Sequence, residues 1–469
     1  MKKFLTIRLI IGAIVFLIAG CSWHQPEKIS LSSSVPEKYH QKEAQAISRV
    51  FPDRWWEVFN DETLNKLINR AFSGNLDLSQ AFSRLEQAES LAKQAGAVRY
   101  PNLNIEANAS RSRQLINPDN ITGKSYGMSL ASAFEVDLWN KLKSNYQARE
   151  FETKASVEDI RNLYLTLSAR VADLYYLMVE QRAQLELTHR TVAARKATEE
   201  LVERRYLEGM VSALDVYQAR QTLAAAQSKQ SEFETTLAVT AHALSILVGE
   251  YPDPNTGGTL AQLPDVPDLF PAGLPSELLT RRPDIQAQLL RIKARDQEVG
   301  AAVADRFPSI NLLADYGRSG SDFSDSLSGT VWNLVGNLML PLIDWGGRKT
   351  EVERRKAIFQ EQLDQYRQIV LNAFKEVEDA LVSNRQTETA IEWLEKEEKA
   401  ADSALRLALD RYLDGLSDYL PVLTAQALHF DSQNRLLSSR RQLISNRISL
   451  ARALGGIWMD TDIKKRLNG

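Results

Sequence analysis

The sequence has 469 residues, of which 57 are basic and 60 acidic, giving a formal net charge of −3 at pH 7. This near balance excludes a general electrostatic attraction for nucleic acid. Only 22 glycines and 15 prolines interrupt the chain, which favours long helices over a series of small compact modules.

The N terminus has the pattern of an export signal. Lys2, Lys3 and Arg8 precede the apolar stretch Leu9–Gly20. At about 12 residues, this stretch is too short to span a bilayer as a helix. We therefore interpret residues 1–20 as a signal peptide that is removed.

Cys21, the only cysteine of the chain, directly follows this stretch. Leu17-Ile18-Ala19-Gly20-Cys21 resembles a bacterial lipobox, in which cleavage before the cysteine leaves it as the lipid-bearing first residue. The alternative is a small buried side chain in an ordinary signal peptide. Ser22 follows Cys21, whereas an aspartate there would favour retention in the inner membrane. We therefore expect an outer-membrane lipoprotein that carries palmitate or a similar acyl chain at Cys21.

The strongest pattern in the chain is a duplication, because many residues recur 207 positions downstream. The matching residues are Asp77, Leu78, Arg84, Leu85, Arg99, Tyr100, Pro101, Leu103 and Asp137, which recur as Asp284, Ile285, Arg291, Ile292, Arg306, Phe307, Pro308, Ile310 and Asp344. Arg205-Tyr206-Leu207-Glu208-Gly209 recurs as Arg411-Tyr412-Leu413-Asp414-Gly415, one residue out of step.

The duplication divides the mature chain. Residues 21–75 are predicted to form an N-terminal anchor segment, followed by a first repeat at 76–248. An irregular connector rich in Pro, Gly and Asp is predicted at 249–275. The second repeat is predicted at 276–455 and a C-terminal segment at 456–469.

Each repeat is predicted to begin with a short helix and two strands. The short helices cover Leu76–Arg99 and Ile285–Arg306, and the strands lie at about 103–113, 125–137, 309–318 and 329–343. Leu103, Ile105 and Ala107 alternate with polar residues, and Tyr126, Met128, Leu130, Trp332 and Leu334 do the same. The polar stretches 117–120 and 319–322 are predicted as turns between the strands.

Two very long helices are predicted to follow, at about 140–208 and 348–414. Both stretches lack Gly and Pro, and each would be about 100 Å long as a helix. Apolar residues such as Ile160, Leu163 and Leu167 recur at spacings of three and four, which is typical of side-by-side helix packing. The glycines at 209 and 415 end these helices, and further helices are predicted at 210–248 and 422–454.

The alternation and length of the strands suit a membrane β-barrel, although a half-buried sheet in a soluble protein is the alternative. Four strands cannot close a barrel, and open sheet edges are not tolerated in lipid. Several chains must therefore pool their strands. The predicted fold class is mainly α with a membrane β-barrel, built from a duplicated helix-strand-strand-long helix-helix unit.

Two stretches form a recognisable pair of signatures. The first is Trp55-Trp56-Glu57-Val58-Phe59 with Leu64, Leu67, Ile68, Ala71, Asn75, Asp77, Leu78 and Ala81. The second is Leu274-Pro275-Ser276-Glu277-Leu278-Leu279 with Arg281-Arg282-Pro283-Asp284-Ile285, together with Phe307-Pro308. Both resemble the TolC-like outer-membrane factors, specifically the lipoprotein branch that serves tripartite efflux pumps (NodT-type). The resemblance covers essentially the whole mature chain, and residues 21–75 would include the family's equatorial segment.

The resemblance implies a homotrimer with a shared twelve-stranded barrel and a tunnel of long helices in the periplasm. It implies a passive conduit without catalytic chemistry or cofactors. Its partners would be a periplasmic adaptor and a proton-driven, RND-type inner-membrane pump. The expected function is efflux of small toxic compounds, including antibiotics, across the outer membrane.

The ends of the long helices resemble the periplasmic tip, where the family closes its tunnel with tyrosine contacts and rings of aspartate. The candidate gate residues are Tyr412, Asp414, Asp418 and Asp215. Pro421 and Thr424 stand where relatives often carry aspartate, which is a departure from the usual charged gate. The alternative is that the acids cap helices and that Tyr412 packs.

The sequence offers no support for an enzyme, a cofactor or a metal site. His24, His40, His189, His242 and His429 are scattered without metal-ligand spacing. Two alternatives to an efflux conduit stay open. One is the exit duct of a type I protein-secretion system. The other is a lipid-anchored periplasmic coiled-coil scaffold without a pore, which would leave the paired strands unexplained.

Overall fold

Long helices dominate the computed structural model, which describes residues 24, 36, 38–40, 54–116, 119–322, 329–456 and 458–467. The α-helices are α1 (Glu62–Gly74), α2 (Leu76–Ala97), α3 (Lys141–Leu207), α4 (Ala213–Leu247), α5 (Leu278–Arg281), α6 (Pro283–Ala304), α7 (Gly347–Leu413), α8 (Tyr419–Leu454) and α9 (Asp460–Leu467). Short 3-10 helices span Trp55–Phe59 and Pro275–Glu277. Within these ranges, none of the helices has both the length and the apolar character needed to cross a lipid bilayer.

The two longest helices, α3 and α7, have 67 residues each. They run over 141–207 and 347–413, where the sequence predicts 140–208 and 348–414. Both lie in the stretches without proline, so every turn after the first keeps its backbone hydrogen bonds.

The helices that follow begin elsewhere than predicted, for local reasons. α4 begins at Ala213, after the predicted Met210, because Ser212 and Asp215 form a capping box that fixes the start. α8 begins at Tyr419, before the predicted Val422. It includes Pro421 in its first turn, where a proline removes no helical hydrogen bond.

Four strands form one antiparallel sheet in the order β1-β2-β3-β4. The strands are β1 (Asn102–Ile116), β2 (Asp119–Val136), β3 (Ser309–Gly320) and β4 (Gly329–Met339). Ile116 pairs with Asp119, so β1 and β2 continue beyond the predicted strands and enter the predicted turn at 117–120. β4 ends at 339, short of the predicted 343, because Pro341 lacks the N–H that would continue the ladder.

The chain divides into two compact units, and each contains segments of both repeats. Unit 1 comprises Met1–Ser32, Ser83–Val157 and Ala287–Arg367, and it contains the sheet. Unit 2 comprises Ser33–Phe82, Glu158–Gln286 and Gln368–Gly469. The units therefore do not coincide with the repeats, because β2 of the first repeat pairs with β3 of the second.

Unit 2 is built around an aromatic core. The Trp56 ring packs edge-on against Trp458, with centroids 4.7 Å apart, and Phe72 packs against both Trp458 and Tyr164. Trp55 is fully buried, and its indole N–H donates to the Ser168 hydroxyl over 3.2 Å. The tryptophans of the first signature stretch therefore hold the segment that precedes α1 against α3.

Candidate functional site

One face of the sheet is apolar across all four strands. Ile105 lies opposite Leu130, which lies opposite Tyr316, which in turn lies opposite Trp332. Side chains two residues apart share a face of a strand, so further apolar side chains extend this row. They are Leu103, Met128, Phe134, Val136, Ile310, Leu312, Leu334 and Leu338. The register thus brings the apolar positions of both repeats onto a single surface, which we call the apolar sheet face.

The apolar sheet face is open in the part of the chain that the structure describes. Ile105 is 70% exposed and Trp332 is 72% exposed. The opposite face is mainly polar on β1 to β3, where it carries Asn104 and Asp315, whereas on β4 polar Asn333 alternates with Val331 and Val335. A surface of this kind excludes water only when lipid or another protein covers it.

The sheet also has two free edges. Among the described strands, β1 pairs only with β2, and β4 pairs only with β3. The outer edges of β1 and β4 therefore present rows of backbone N–H and C=O groups that can pair with another strand.

At the other candidate site, the ends of the long helices, two turns have the same local structure. Gly209 and Gly415 have φ angles of +73° and +72°, a conformation that glycine adopts without a steric penalty. Met210 N–H donates to the Arg205 carbonyl and Leu416 N–H to the Arg411 carbonyl, over 2.8 and 2.9 Å. Gly209 N–H donates to the Tyr206 carbonyl and Gly415 N–H to the Tyr412 carbonyl, over 2.9 and 3.1 Å. Together these bonds form Schellman motifs that end α3 and α7. We call residues 202–219 and 408–423 the first and second tips.

An arginine of the first tip is bound to a tyrosine of the second. The Arg205 guanidinium carbon lies 4.7 Å from the centroid of the Tyr412 ring. The same guanidinium donates a hydrogen bond from Nη1 to the Tyr412 carbonyl oxygen over 2.7 Å. This combination of cation–π contact and charged hydrogen bond joins the two tips directly.

Tyr412 is 3% exposed and belongs to a small apolar core. The core combines residues of both tips: Val202, Val216, Ala219, Tyr412, Tyr419 and Val422. The rings of Tyr412 and Tyr419 have centroids 5.5 Å apart. Within the described structure, the Tyr412 hydroxyl is buried without a hydrogen-bond partner. The side chain of Tyr412 thus stabilises the contact between the two tips by apolar packing, and its hydroxyl adds no hydrogen bond within the described structure.

Burial also affects the ionisation of both tyrosines. It raises the pKa of the Tyr412 hydroxyl, and the Arg205 charge opposes this effect. Burial, and then the neighbouring Tyr412, raises the pKa of Tyr419 to about 12. Both rings are therefore neutral throughout the physiological range of pH.

The three candidate aspartates occupy different positions. The Asp215 carboxylate accepts hydrogen bonds from the Ser212 amide and hydroxyl, each over 3.0 Å, within the capping box. Asp418 is the N-cap residue of α8, but its side chain makes no capping hydrogen bond. Asp414 and Asp418 are both exposed, whereas Asp215 is partly buried. Asp414 and Asp418 are thus accessible to solvent in the single chain.

The tips are pseudo-equivalent in sequence but differ in burial. Tyr206 occupies the same turn position as Tyr412, yet it is 44% exposed. Around it, the two tips present further exposed apolar side chains, which are Leu207, Met210, Leu214, Tyr217, Leu413, Leu416 and Leu420. One tyrosine therefore closes the core between the tips, and the other contributes to an open apolar surface.

The remaining predicted site residue, Cys21, lies outside the described residues. Across the described ranges, no group of three or more His, Cys, Asp and Glu side chains is arranged to hold a metal ion.

A protein family has the same two-part organisation as this chain. The model of the family described as outer membrane efflux protein matches residues 67–250 and 274–456. The two matched segments fall on the two predicted repeats, with the predicted connector between them. The chain belongs to the outer membrane efflux protein family.

This efflux channel protein is similar to several curated relatives over nearly its whole length. It is 30% identical to the pyoverdine export outer membrane protein OpmQ of Pseudomonas aeruginosa, covering 94% of this chain and 95% of OpmQ. It is 28% identical to the probable outer membrane lipoprotein SilC of Salmonella typhimurium, covering 97% of this chain and 99% of SilC.

A solved structure shows the same fold. The outer-membrane channel OprN matches with a TM-score of 0.85 and 26% identity, covering 92% of this chain and 99% of that chain. These matches confirm the resemblance inferred from the two signature stretches. They also confirm the mainly helical fold with antiparallel strands and the function as an outer-membrane efflux channel.

In this efflux channel protein, the sequence pattern pointed to Tyr412 and Asp215 as gate candidates, which stays a prediction, and it did not point to two of their neighbours. Arg205 stands in the repeated five-residue stretch, where only the tyrosine and the acids were considered. Tyr419 directly follows Asp418 and could have been found as the aromatic residue at the start of α8. Neither contact follows from spacing within one repeat, because each requires the first and second tips to meet.

Proposed function

We propose that this efflux channel protein works as a lipid-anchored homotrimer, in which three sheets join to form one twelve-stranded barrel. The three sets of long helices would continue the passage into the periplasm. The open apolar sheet face, together with the free edges of β1 and β4, carries this proposal.

The edges support a closed assembly because lipid cannot satisfy backbone hydrogen bonds. Joining β4 of one chain to β1 of the next satisfies both edges at every junction, and a ring of chains leaves none unpaired. The apolar sheet face would then point towards lipid, and the polar face with Asn104, Asp315 and Asn333 would point towards the passage. A periplasmic scaffold without a pore would leave this apolar surface in water.

Lipidation at Cys21 is the second part of the proposal. The lipobox-like stretch before Cys21 supports it, and one similar protein bears the name of an outer membrane lipoprotein. The acyl chains would hold the N terminus at the periplasmic side of the outer membrane.

The tips would form the periplasmic gate. In the closed state, the Arg205–Tyr412 contact and the shared tyrosine core hold the two tips of each chain together. The exposed Asp414 and Asp418 would be tripled by threefold symmetry into rings that favour cations. Contact of an adaptor with the exposed apolar side chains of the tips would separate the tips and open the gate.

The cargo would be small toxic compounds, delivered by a periplasmic adaptor and a proton-driven RND-type pump in the inner membrane. The channel itself would perform no catalytic step, because the pump supplies the energy.

A pair of substitutions at adjacent residues tests the barrel. Leu334 lies on the apolar face and is exposed in the single chain, whereas Asn333 lies on the polar face. An arginine facing the middle of a bilayer costs about 2–4 kcal/mol. Leu334→Arg should therefore reduce the amount of trimer in the outer membrane, and Asn333→Arg should not.

The same pair distinguishes the alternatives. If the sheet lies in water, both variants should assemble equally well, because both side chains would be solvated. Equal yields of trimer in outer-membrane fractions, with equal conductance in planar bilayers, would therefore refute the proposal.

A further inference from the structure

His24 is the described residue nearest to Cys21 in the sequence. Its ring packs in unit 1 against Asp296 and Gly300, and we call this binding position the His24 seat. Its Nε2 atom lies 2.8 Å from Oδ1 of Asp296 on α6. Asp296 is only 5% exposed, and the His24 side chain is 21% exposed. A partly buried hydrogen bond between groups 272 positions apart in the sequence fixes the ring against the helix.

A glycine makes room for the ring. Gly300 lies one turn after Asp296 on α6, and a Cβ atom there would lie 3.1 Å from Cδ2 of His24 and 3.4 Å from the Ser144 hydroxyl oxygen. Glycine within a helix is unfavourable by about 1 kcal/mol relative to alanine. Its presence at this position therefore has a packing reason, which is the seat for His24.

The seat belongs to the second repeat only. At the offset of 207 residues, Asp296 corresponds to Glu89 and Gly300 corresponds to Lys93. Lys93 is exposed on α2 and carries a long side chain where the second repeat has none. The combination of a buried carboxylate and a glycine is thus not a requirement of the repeated fold. The chain has a single N-terminal segment, which matches the single seat in the second repeat.

The seat adjoins the place where strands and helices meet. His24 lines a cavity of about 190 Å³ together with Trp139 and Phe307. The rings of Trp139 and Phe307 are stacked with centroids 4.9 Å apart, and the indole N–H donates to the Pro308 carbonyl over 2.7 Å. Trp139 follows the end of β2, and Pro308 precedes β3. Tryptophan at such a position is typical of the membrane interface.

We propose that the His24–Asp296 contact is a clasp that positions the lipid anchor beside the sheet of its own chain. His24 follows Cys21 by three positions, so chain length alone keeps Cys21 within about 11 Å of His24. Further along the chain, Tyr39 is buried in unit 2, and the backbone N–H of its neighbour His40 donates to the Glu378 carboxylate over 2.8 Å. Without the clasp, the contour length of the 18 positions from Cys21 to Tyr39 sets an upper limit of about 60 Å on the reach of Cys21.

The clasp therefore confines the acyl chains to the bilayer next to the ends of β2 and β3. This inference rests on the proposed lipidation of Cys21, but the clasp itself does not. The two can be tested separately in the full-length, membrane-embedded protein.

The first experiment measures the reactivity of individual histidines towards diethyl pyrocarbonate by mass spectrometry. In the parent protein, His24 should react several-fold more slowly than His189, which is exposed on α3. Gly300→Val should displace the ring and raise the rate at His24 while leaving His189 unchanged. Lys93→Val places the same side chain at the equivalent position of the first repeat, and it should change neither rate.

Equal reactivity of His24 and His189 in the parent, or no effect of Gly300→Val, would overturn the clasp. The mass of the N-terminal peptide reports lipidation independently. Protection of His24 without lipid on Cys21 would establish the clasp and overturn both its anchoring role and that part of the proposed function.

The second experiment locates the acyl chains directly. Cells grown with a diazirine-bearing fatty acid should incorporate it at Cys21, and illumination should crosslink it to peptides around Trp139 and Phe307. In Gly300→Val, these crosslinks should spread to other surfaces and to lipid. An identical crosslinking pattern in the parent and Gly300→Val would refute the positioning role.

Discussion

Removing the Arg205 side chain should weaken the contact between the first and second tips. In Arg205→Ala, the cation–π contact with Tyr412 and the hydrogen bond to its carbonyl are both lost. The first is worth about 1 kcal/mol and the second about 1.5 kcal/mol, because Arg205 is partly shielded from water. If these contacts exist only in the closed state, closure weakens by about 2–3 kcal/mol, or about 30- to 150-fold.

This magnitude is large enough to observe. A gate that is open about 1% of the time would become open about a quarter of the time or more. Single-channel recording of the trimer in planar bilayers should therefore show a higher open probability for Arg205→Ala. Arg205→Lys keeps the charge but loses the planar guanidinium group, so its open probability should lie between those of the parent and Arg205→Ala.

Arg411→Ala is the matched control, since Arg411 holds the same position in the second tip but is exposed. It should behave like the parent. Hydrogen exchange at residues 202–219 supplies an independent readout, with faster exchange expected in Arg205→Ala alone. If both alanine variants conduct and exchange like the parent, the assignment of Arg205 to the gate is wrong.

Further predictions concern the same tips. Tyr412→Phe should leave conductance unchanged and thermal stability unchanged or slightly higher, because the lost hydroxyl has no partner among the described residues. Tyr412→Ala should speed hydrogen exchange at both tips. Tyr206→Ala should not, because Tyr206 is exposed. The double variant Tyr412→Ala, Asp418→Ala should raise conductance, and an unchanged conductance counts against a gate at this level. Asp215→Ala should destabilise the start of α4 by about 1 kcal/mol through loss of the capping box, seen as faster local exchange, while the same change at exposed Asp414 should have little effect. The pKa of Tyr419 is raised, so the neutral ring contributes stability fully below about pH 10 and loses it as the pH rises through about 12. The difference between the tyrosinate absorbance titrations of the parent and of Tyr419→Phe should show the ionisation of Tyr419 at this high pH. A midpoint near the ordinary pKa of tyrosine would contradict the burial of this side chain.

The sequence predicted the large elements because their signals are local. Stretches without Gly or Pro set the lengths of α3 and α7, and the alternation of apolar residues marked the strands. The pairing of β2 with β3 was not predictable in this way. It joins the two repeats, and only the register reveals that Leu130 and Tyr316 lie in one row.

The gate candidates show the same division between local and non-local information. The capping role of Asp215 follows from Ser212 three residues earlier, a short-range pattern. The burial of Tyr412 and the exposure of Tyr206 could not be read from two nearly identical stretches. Their difference arises because Arg205 and Tyr419 approach Tyr412 from separate helices.

The most direct test of the account is the assembly state of the full-length protein together with its conductance. Native mass spectrometry of the detergent-solubilised protein should give the mass of three lipidated chains, and the same preparation should form ion-conducting channels in planar bilayers. A single chain that leaves the bilayer impermeable would contradict the proposal that neighbouring chains complete the sheet.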